Sequence, residues 1–551
     1  MTRGNARSRT AAGLVVLLWL VAIAAGAWLR LWHIHTQILI DDEWHALHRL
    51  MRAGYLDIFL SFGHADYSIP LTLLFNALAD TVGLSELRMR FLPLVFGIAT
   101  VFVVPMALRP WLRGRERAAL ALLLAISPLL VHFSRVARPY ALVVPMAFVA
   151  VVALWRWWHE RRRRWLWLYA PLTVASAWLH PLTLMFTLGA ASWFGLDALR
   201  RGLTGGGWRD LGAIVAVAGA TLAACAALLL PPLLADPHAM TAKSGVHRLE
   251  PETLLHGWEF FIGTTRPWVV ALVTVLALYG GRLLAARDRE FLVHWIYLFV
   301  LALAAIVILE PAWIRHGQVL ARYTVTGMPL VLALVAIAVV SLTRTTVGRV
   351  ARARAVAVPL VVLAFAGGLY MAGPFPWLYD GVNQFTNSVR YHFRYDLRAE
   401  VNPYTEVMNK VVVHDFYDEI ARAEGEWEVV ESPWWFETHF SPLTEYQDHH
   451  QRRVRIGMMS SLCTDWTWGE LQPDHPGHIR LRNFVFLKDL LDGPGAVNRF
   501  VVFHRESPFA KPREIPDIEP CIDAFRDRYG RPWREIDAAV VFRLPAGSTS
   551  G

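Results

Sequence analysis

The feature that most constrains this chain is a series of apolar runs separated by short arginine-rich segments. Hydrophobic residues make up 55% of its 551 positions, and they are grouped into runs of about 20, the length of a helix that crosses a bilayer. A soluble chain does not carry such runs, so we predict a polytopic α-helical membrane protein. We place eleven spanning helices at 11–31, 89–110, 117–133, 139–157, 164–179, 181–199, 210–232, 267–284, 291–309, 323–343 and 353–373.

The arginines predict the orientation of these helices. If the chain crosses the membrane at each predicted helix in turn, all basic segments lie on the same side. Loops rich in Lys and Arg remain in the cytoplasm, so we assign that side to the cytoplasm. These segments are 109–117, 156–164, 200–209, 282–289 and 344–354. We therefore expect a cytoplasmic (inner) membrane protein with a cytoplasmic N-terminus, in which the first span is a retained signal-anchor. The same segments account for the net charge of +9, which gives no reason to expect nucleic-acid binding.

One apolar stretch, 69–84, is predicted not to span the membrane. It is short, begins with Pro70 and contains Asn76 and Asp80. Counting it as a span would move every later arginine segment to the outer side. We predict a re-entrant or interfacial helix within a first outer loop of 32–88. The membrane domain as a whole is predicted to cover residues 1–374.

Beyond residue 374 the sequence resembles that of a water-soluble domain. Short strand-like runs alternate with polar, helix-like stretches, the pattern of a small α/β domain. The strands are predicted at 410–413, 500–503 and 539–542, and the helices at 415–424 and 521–529. An odd number of spans places this domain, 375–551, on the extracytoplasmic side. In that oxidising compartment we hypothesise a disulfide between Cys463 and Cys521, whereas Cys225 lies within a span.

Acidic residues follow the first span directly, as Asp41-Asp42-Glu43. Carboxylates beside a membrane are costly to keep near lipid, and here they suit a general base or a metal ligand. The alternative is a solvated loop in which Asp42 caps a helix that begins at Glu43. Asp66 and His64, in the loop before the stretch 69–84, are candidates to complete a polar site.

Arginines lie at the outer ends of three predicted spans, at Arg90, Arg138 and Arg322. A pair of guanidinium groups at this level suits the phosphate of a lipid. The alternative is the snorkelling that is common for arginine at helix ends. Arg315 and His316 add positive charge to the same outer loops and are candidates for substrate binding, although a solvated surface position explains each of them more simply.

Together these motifs resemble the polytopic GT-C glycosyltransferases, and among them the bacterial relatives of protein O-mannosyltransferases and aminoarabinose transferases. The matching segments cover roughly residues 10–345 in the order of the family: Asp42-Glu43, Ser85 to Arg90 with Pro93, Ser127-Pro128, Ser134 with Ala137 to Leu142, and Arg322-Tyr323 with Pro329. Two segments depart from the family pattern. The family's Ser-Gln-Glu-Ala-Arg box reads Ser134-Arg135-Val136-Ala137-Arg138, and its His-Pro-Pro reads Ser68-Ile69-Pro70.

The resemblance implies a sugar donor linked to polyprenyl phosphate and an acceptor hydroxyl on a lipid, a glycan or a protein. It implies that Asp42 is the catalytic base, with Glu43 beside it. Arginines opening later spans hold the donor phosphate in such enzymes, and the matching candidates are Arg322, Arg138 and Arg90. Tyr140 and Tyr323 belong to the matching motifs and are expected among the substrate-binding residues.

The resemblance says less about the cofactor and about the stereochemistry of the reaction. Some relatives carry a divalent ion, Mg or Mn, and others need none, so no cofactor is certain. A single base on the face opposite the leaving group implies direct displacement with inversion.

Two other functions remain open from the residues alone. A transporter or flippase of a lipid-linked glycan precursor predicts internal repeats and charges near mid-membrane. A non-enzymatic protein of cell-envelope assembly would act through its C-terminal domain.

Overall fold

A computed structural model describes residues 2–35, 37, 39, 42–50, 53–62, 68–346, 351–379, 411–433, 442–459, 462, 484–493, 495–506 and 517–547. The first helices are α1 (Thr2–Leu31), α2 (Glu43–Leu50), α3 (Tyr55–Phe59), α4 (Ile69–Thr81), α5 (Glu86–Ala107), α6 (Gly114–Ala125), α7 (Pro128–Ser134), α8 (Tyr140–Glu160) and α9 (Arg164–Leu179). They are followed by α10 (Leu184–Leu203), α11 (Trp208–Ala235), α12 (Pro237–Thr241), α13 (Pro251–Ile262), α14 (Pro267–Ala285), α15 (Arg289–Leu309), α16 (Gly317–Thr324), α17 (Met328–Thr346), α18 (Ala351–Ala372) and α19 (Phe375–Leu378).

Within these ranges, eight helices are long and apolar enough to cross a membrane, or nine if the bent pair α6 and α7 forms one span. A helix or a bent pair lies at each of the eleven predicted positions. The count of eleven is nevertheless not confirmed, because α9 has only 16 residues and the apolar part of α18, Val356–Ala372, is also short. The polytopic helical architecture itself is confirmed.

The stretch predicted to be re-entrant or interfacial forms α4, which has 13 residues and is too short to span. Pro70 lies in its first turn, where the missing N–H costs no helical hydrogen bond. Beyond its C-terminal end, Gly83 has a φ of +79°, a left-handed conformation that glycine adopts without strain.

Among the eight single helices long enough to span, α8 and the α16–α17 segment are the most buried. In each, 83% of the most apolar stretch is buried within the protein, against 17% in α11. Because α11 is apolar but exposed, it presents its side chains to lipid. Arg138 lies just before α8, and Arg322 lies in α16. The packing of these two segments within the protein therefore holds both arginines in place.

The C-terminal domain is built on a six-stranded sheet, as an α/β domain predicts. Its strands are β1 (Trp427–Ser432), β2 (Arg453–Met458), β3 (Phe484–Phe486), β4 (Asn498–His504), β5 (Arg534–Ile536) and β6 (Ala539–Leu544), in the order β3-β2-β1-β4-β6-β5. The first four strands are parallel, and β6 pairs antiparallel with both β4 and β5.

Helices cover both faces of this sheet. Residues of α20 (Phe416–Arg422) and α21 (Leu443–His450) pack on one face, and residues of α22 (Leu487–Asp492) and α23 (Glu519–Tyr529) pack on the other. The predicted strands at 500–503 and 539–542 lie in β4 and β6. The strand predicted at 410–413 is wrong over its described residues, since Val411 forms only an isolated bridge and 412–413 belong to no strand.

The edge of the sheet packs on the first outer loop. Phe484 of β3 and Ile456 of β2 belong to the same buried cluster as Trp44 and Leu47 of α2. The Trp44 and Phe484 rings are stacked, with centroids 5.8 Å apart and an interplanar angle of 18°. An uncovered edge strand presents unpaired backbone groups. Here the loop that carries the acidic motif covers part of that edge.

Candidate active site

Three distant segments of the chain bring their charges together at Asp42. Its Oδ2 lies 3.2 Å from Nη1 of Arg322 and 3.4 Å from Nη2 of Arg138. Asp42 directly precedes α2, Arg138 precedes α8, and Arg322 lies in the last turn of α16. The predicted base and two of the predicted phosphate ligands therefore converge on one small volume.

Aromatic rings line the same volume. The Arg322 guanidinium lies 5.3 Å from the ring centroids of both Tyr140 and Tyr323, a distance that suits cation–π attraction. Arg138 donates a hydrogen bond from Nη2 to the Tyr140 hydroxyl at 3.3 Å. His180 lies next to both tyrosines, with ring centroids 5.5 Å and 5.9 Å away. The sequence alone favours an interfacial over a catalytic role for His180, because it is a lone histidine in a tight turn between two predicted spans.

Arg138 is a permanent cation in spite of its burial. Burial lowers the pKa of its guanidinium, but the nearby Tyr140 and Asp42 outweigh burial, and the pKa is raised above its ordinary value. A buried guanidinium that stays charged is suited to an anionic group of a substrate.

Glu43 and Arg90 form a second, deeper pair. Both side chains are fully buried, and Arg90 donates from Nε and Nη2 to the two carboxylate oxygens at 2.8 Å and 2.6 Å. Arg90 also donates to the Gln37 carbonyl at 2.7 Å, and the Ala137 N–H donates to Glu43 at 2.8 Å. This pair ties the acidic loop to α5 and to the segment before α8.

In the family box, Arg135 occupies the position of the glutamine and Val136 that of the acid. Its guanidinium donates to the carbonyls of Leu29, Arg30 and Trp32 at the C-terminal end of α1, and to the Gln37 side chain at 3.1 Å. The last carbonyls of a helix have no intrahelical partner, and a cation there also suits the helix dipole. The departure from the family box thus places a buried structural arginine beside the site.

Arg315 and His316, two further candidates, lie in the turn before α16. There Arg315 Nε is 3.4 Å from His316 Nε2, and both lie beside Trp313. His64 and Asp66 lie outside the described residues, as does Asp41.

The described residues do not offer a metal site. They contain no group of three or more His, Cys, Asp and Glu side chains that could hold an ion. Asp42 lies between two guanidinium groups and Glu43 is paired with Arg90, and these positive charges oppose a divalent cation. We therefore derive no chemical step through a metal.

No protein-family model matches the chain, and no curated protein matches it either. Solved structures do show similarity. One is ArnT from Cupriavidus metallidurans bound to undecaprenyl phosphate, with 13% identity over 98% of this chain and 99% of that chain and a TM-score of 0.43. Another is an oligosaccharyltransferase of Archaeoglobus fulgidus in complex with Zn and sulfate, with 14% identity over 88% of this chain and 68% of that chain and a TM-score of 0.42.

A third is the archaeal oligosaccharyltransferase AglB from Archaeoglobus fulgidus with an inhibitory peptide and a dolichol-phosphate. It has 14% identity over 89% of this chain and 69% of that chain, with a TM-score of 0.36. These proteins are GT-C glycosyltransferases, the class that the sequence motifs resemble. At such low identities and TM-scores, the similarity carries no argument about donor, acceptor or mechanism.

Proposed function

We propose that this chain is a membrane glycosyltransferase that moves a sugar from a polyprenyl-phosphate-linked donor to an acceptor hydroxyl on the extracytoplasmic side. The observation that carries the proposal is the convergence of Asp42 with Arg138 and Arg322 at 3.4 Å and 3.2 Å. A carboxylate and two guanidinium groups are the groups that such a transfer needs: a base for the acceptor and positive charge for the leaving phosphate.

The reaction is a single displacement. The acceptor hydroxyl gives its proton to the Asp42 carboxylate as its oxygen forms a bond to the anomeric carbon of the sugar. The bond between that carbon and the phosphate oxygen breaks, and polyprenyl phosphate leaves as an anion held by Arg322 and Arg138. Attack on the face opposite the leaving group inverts the configuration at this carbon.

The ion pairs of the free protein give donor binding a second role. Without donor, Asp42 is a counter-ion of both arginines. A bound phosphate competes for the same guanidinium groups, because arginine binds phosphate and carboxylate through the same planar fork. Donor binding then weakens the hold of the arginines on Asp42, and the carboxylate becomes available to the acceptor proton only once the donor is in place.

Glu43 and Arg90 act by positioning in this proposal. Arg90 is fully buried, and its guanidinium already donates hydrogen bonds to the Glu43 carboxylate and the Gln37 carbonyl. The pair holds the turn that carries Asp42 against α5 and the start of α8. We assign direct phosphate contact to Arg322 and Arg138 and the support of the loop to Arg90.

The test is sugar transfer by purified protein in detergent. The donor is the polyprenyl-phosphate monosaccharide that accumulates in a strain lacking the protein, identified by lipid mass spectrometry. The proposal predicts that wild-type protein releases polyprenyl phosphate from this lipid when an extract containing the acceptor is added. Detergent removes the two compartments that a transporter needs, so binding without turnover would contradict the enzyme proposal and favour a flippase.

A further inference from the structure

A cavity of about 630 Å³ lies between the end of α5, the end of α8 and the turn that joins α14 to α15. Its walls include two tryptophans and four arginines: Trp111, Trp155, Arg109, Arg113, Arg156 and Arg287. The volume is within the usual range of ligand sites, roughly 300–1,000 Å³.

This cavity and the sugar-transfer site lie at opposite ends of the same helices. Arg90 is near the start of α5 and Arg109 follows its end, while Tyr140 begins α8 and Glu160 ends it. A helix of 21 or 22 residues is roughly 30 Å long at 1.5 Å per residue, which equals the thickness of the hydrocarbon core. The cavity therefore lies at the opposite membrane surface, at the level of the lipid headgroups.

Part of the charge in the cavity is neutralised by neighbouring groups. Arg287 donates two hydrogen bonds to the Glu116 carboxylate at 2.6 Å and 2.8 Å, and Arg156 donates to Glu160 at 2.7 Å. Asp288 accepts a hydrogen bond from the Trp111 indole at 2.8 Å. These contacts stabilise the walls of the cavity. The remaining two arginines are the groups that can bind a ligand.

Arg109 and Arg113 are those two arginines. Both side chains are exposed, and neither forms an ion pair with a described carboxylate. Two guanidinium groups at the mouth of a concave site can bind the oxygens of one phosphate bidentately. Tryptophans in the wall are typical of a position at the membrane interface.

We propose that this cavity binds the phosphate of an anionic phospholipid headgroup in the leaflet opposite the sugar-transfer site. Basic pockets between transmembrane helices are a recurring form of headgroup site. Solvation of positively charged loops explains why arginines are common at this surface. It does not explain a cavity in which the other charged side chains are already paired. The proposal is independent of the glycosyltransferase reaction.

The proposal is tested by native mass spectrometry of the full-length protein released from detergent after titration with phosphatidylglycerol or phosphatidylcholine. Wild-type protein should retain phosphatidylglycerol in preference to phosphatidylcholine. The double variant Arg109→Gln, Arg113→Gln should bind phosphatidylglycerol about tenfold or more weakly, since two charge-assisted contacts are lost. The charge-retaining variant Arg109→Lys, Arg113→Lys should fall between the two.

The matched control is Arg200→Gln, Arg209→Gln, which removes the same charge from the same surface. Both arginines are exposed, and a 2.8 Å ion pair between Arg161 and Asp210 places this loop at the same end of the helices as Glu160. The control should bind phosphatidylglycerol like the wild type.

Equal retention of the two lipids by the wild type, unchanged binding in the double variant, or an equal loss in the control would each overturn the proposal. Displacement of the lipid by millimolar inorganic phosphate would also overturn it, because the cavity would then be a site for free phosphate. Thermal unfolding and sugar transfer of the double variant should match the wild type, which shows that a loss of lipid is not a loss of fold.

Discussion

At the residue scale, a few buried charged side chains divide into those proposed for the chemistry and those that support them. The outer helix ends predict Arg138 and Arg322, the family resemblance predicts Asp42 as the base, and the structure brings the three side chains together. Sequence could not separate Arg90 from the other two arginines. All three begin spans on the same side, and only packing shows that Arg90 is paired with Glu43.

Arg322→Lys and Arg322→Ala test the phosphate contact. Lysine keeps the charge but loses the planar fork, so we expect weaker donor binding and slower transfer in a folded protein. Alanine should weaken donor binding further, by about 1–3 kcal/mol for a charge-assisted contact. Donor affinity is measured by titration with the lipid. Unchanged affinity in folded Arg322→Ala protein would show that the arginine is only a headgroup anchor.

Arg90→Ala tests the positioning role. Removing one member of a buried pair leaves the Glu43 carboxylate without its countercharge, at a cost of about 3–5 kcal/mol of stability. We expect a large fall in thermal stability, partly recovered when Glu43→Gln is added, with donor affinity preserved in whatever protein remains folded. An Arg90→Ala protein that keeps its stability and loses donor binding would instead make Arg90 a phosphate ligand.

At the scale of elements, the important contact is between α2 and the edge of the sheet. The sequence predicted both the acidic loop and an α/β domain, because each has a local pattern. It could not predict that strands β2 and β3 pack on α2, since that contact joins residues more than 400 positions apart and has no local signal. The sequence predicts only β4 and β6 among the six strands; it does not predict β1, β2, β3 or β5, nor the 60° bend between α6 and α7.

Phe484→Ala tests whether the C-terminal domain supports the catalytic loop. Loss of the ring stacked on Trp44 should let α2 move, so that kcat falls while KM for the donor changes little. The matched control is Phe525→Ala, a buried phenylalanine of α23 in the core on the other side of the sheet. Both variants lose a buried ring and should be destabilised. Equal kcat in the two, measured below their unfolding temperatures, would contradict a positioning role.

At the scale of the whole molecule, we predict that the N-terminus lies in the cytoplasm and the C-terminal domain on the extracytoplasmic side. Helix positions follow from apolar length alone, but orientation rests on the distribution of arginines. The C-terminal domain offers an independent test, because disulfides form in the extracytoplasmic compartment. Cys521 is disulfide-bonded and Cys225 is a free, buried thiol, whereas Cys463, the third cysteine of the chain, lies outside the described residues.

Mass mapping of peptides from non-reduced protein tests this orientation. We expect a linked peptide that contains Cys463 and Cys521 when the protein is isolated from membranes with its thiols blocked during lysis. Cys225 should be recovered as a free thiol. Free thiols at both Cys463 and Cys521 would contradict the disulfide and the extracytoplasmic position that it supports.

The rate of sugar transfer by Asp42→Asn with the donor already bound tests most directly whether Asp42 is the base. Asparagine keeps the size of the side chain but cannot take the acceptor proton, so the single-turnover rate should fall by about 10²–10⁴-fold. Donor affinity should be unchanged or tighter, because the carboxylate that competes for Arg138 and Arg322 is gone. Asp41→Asn, which removes the neighbouring acid, should lose much less. Transfer by Asp42→Asn at the wild-type rate would contradict the account and leave the acidic motif as the cap of α2.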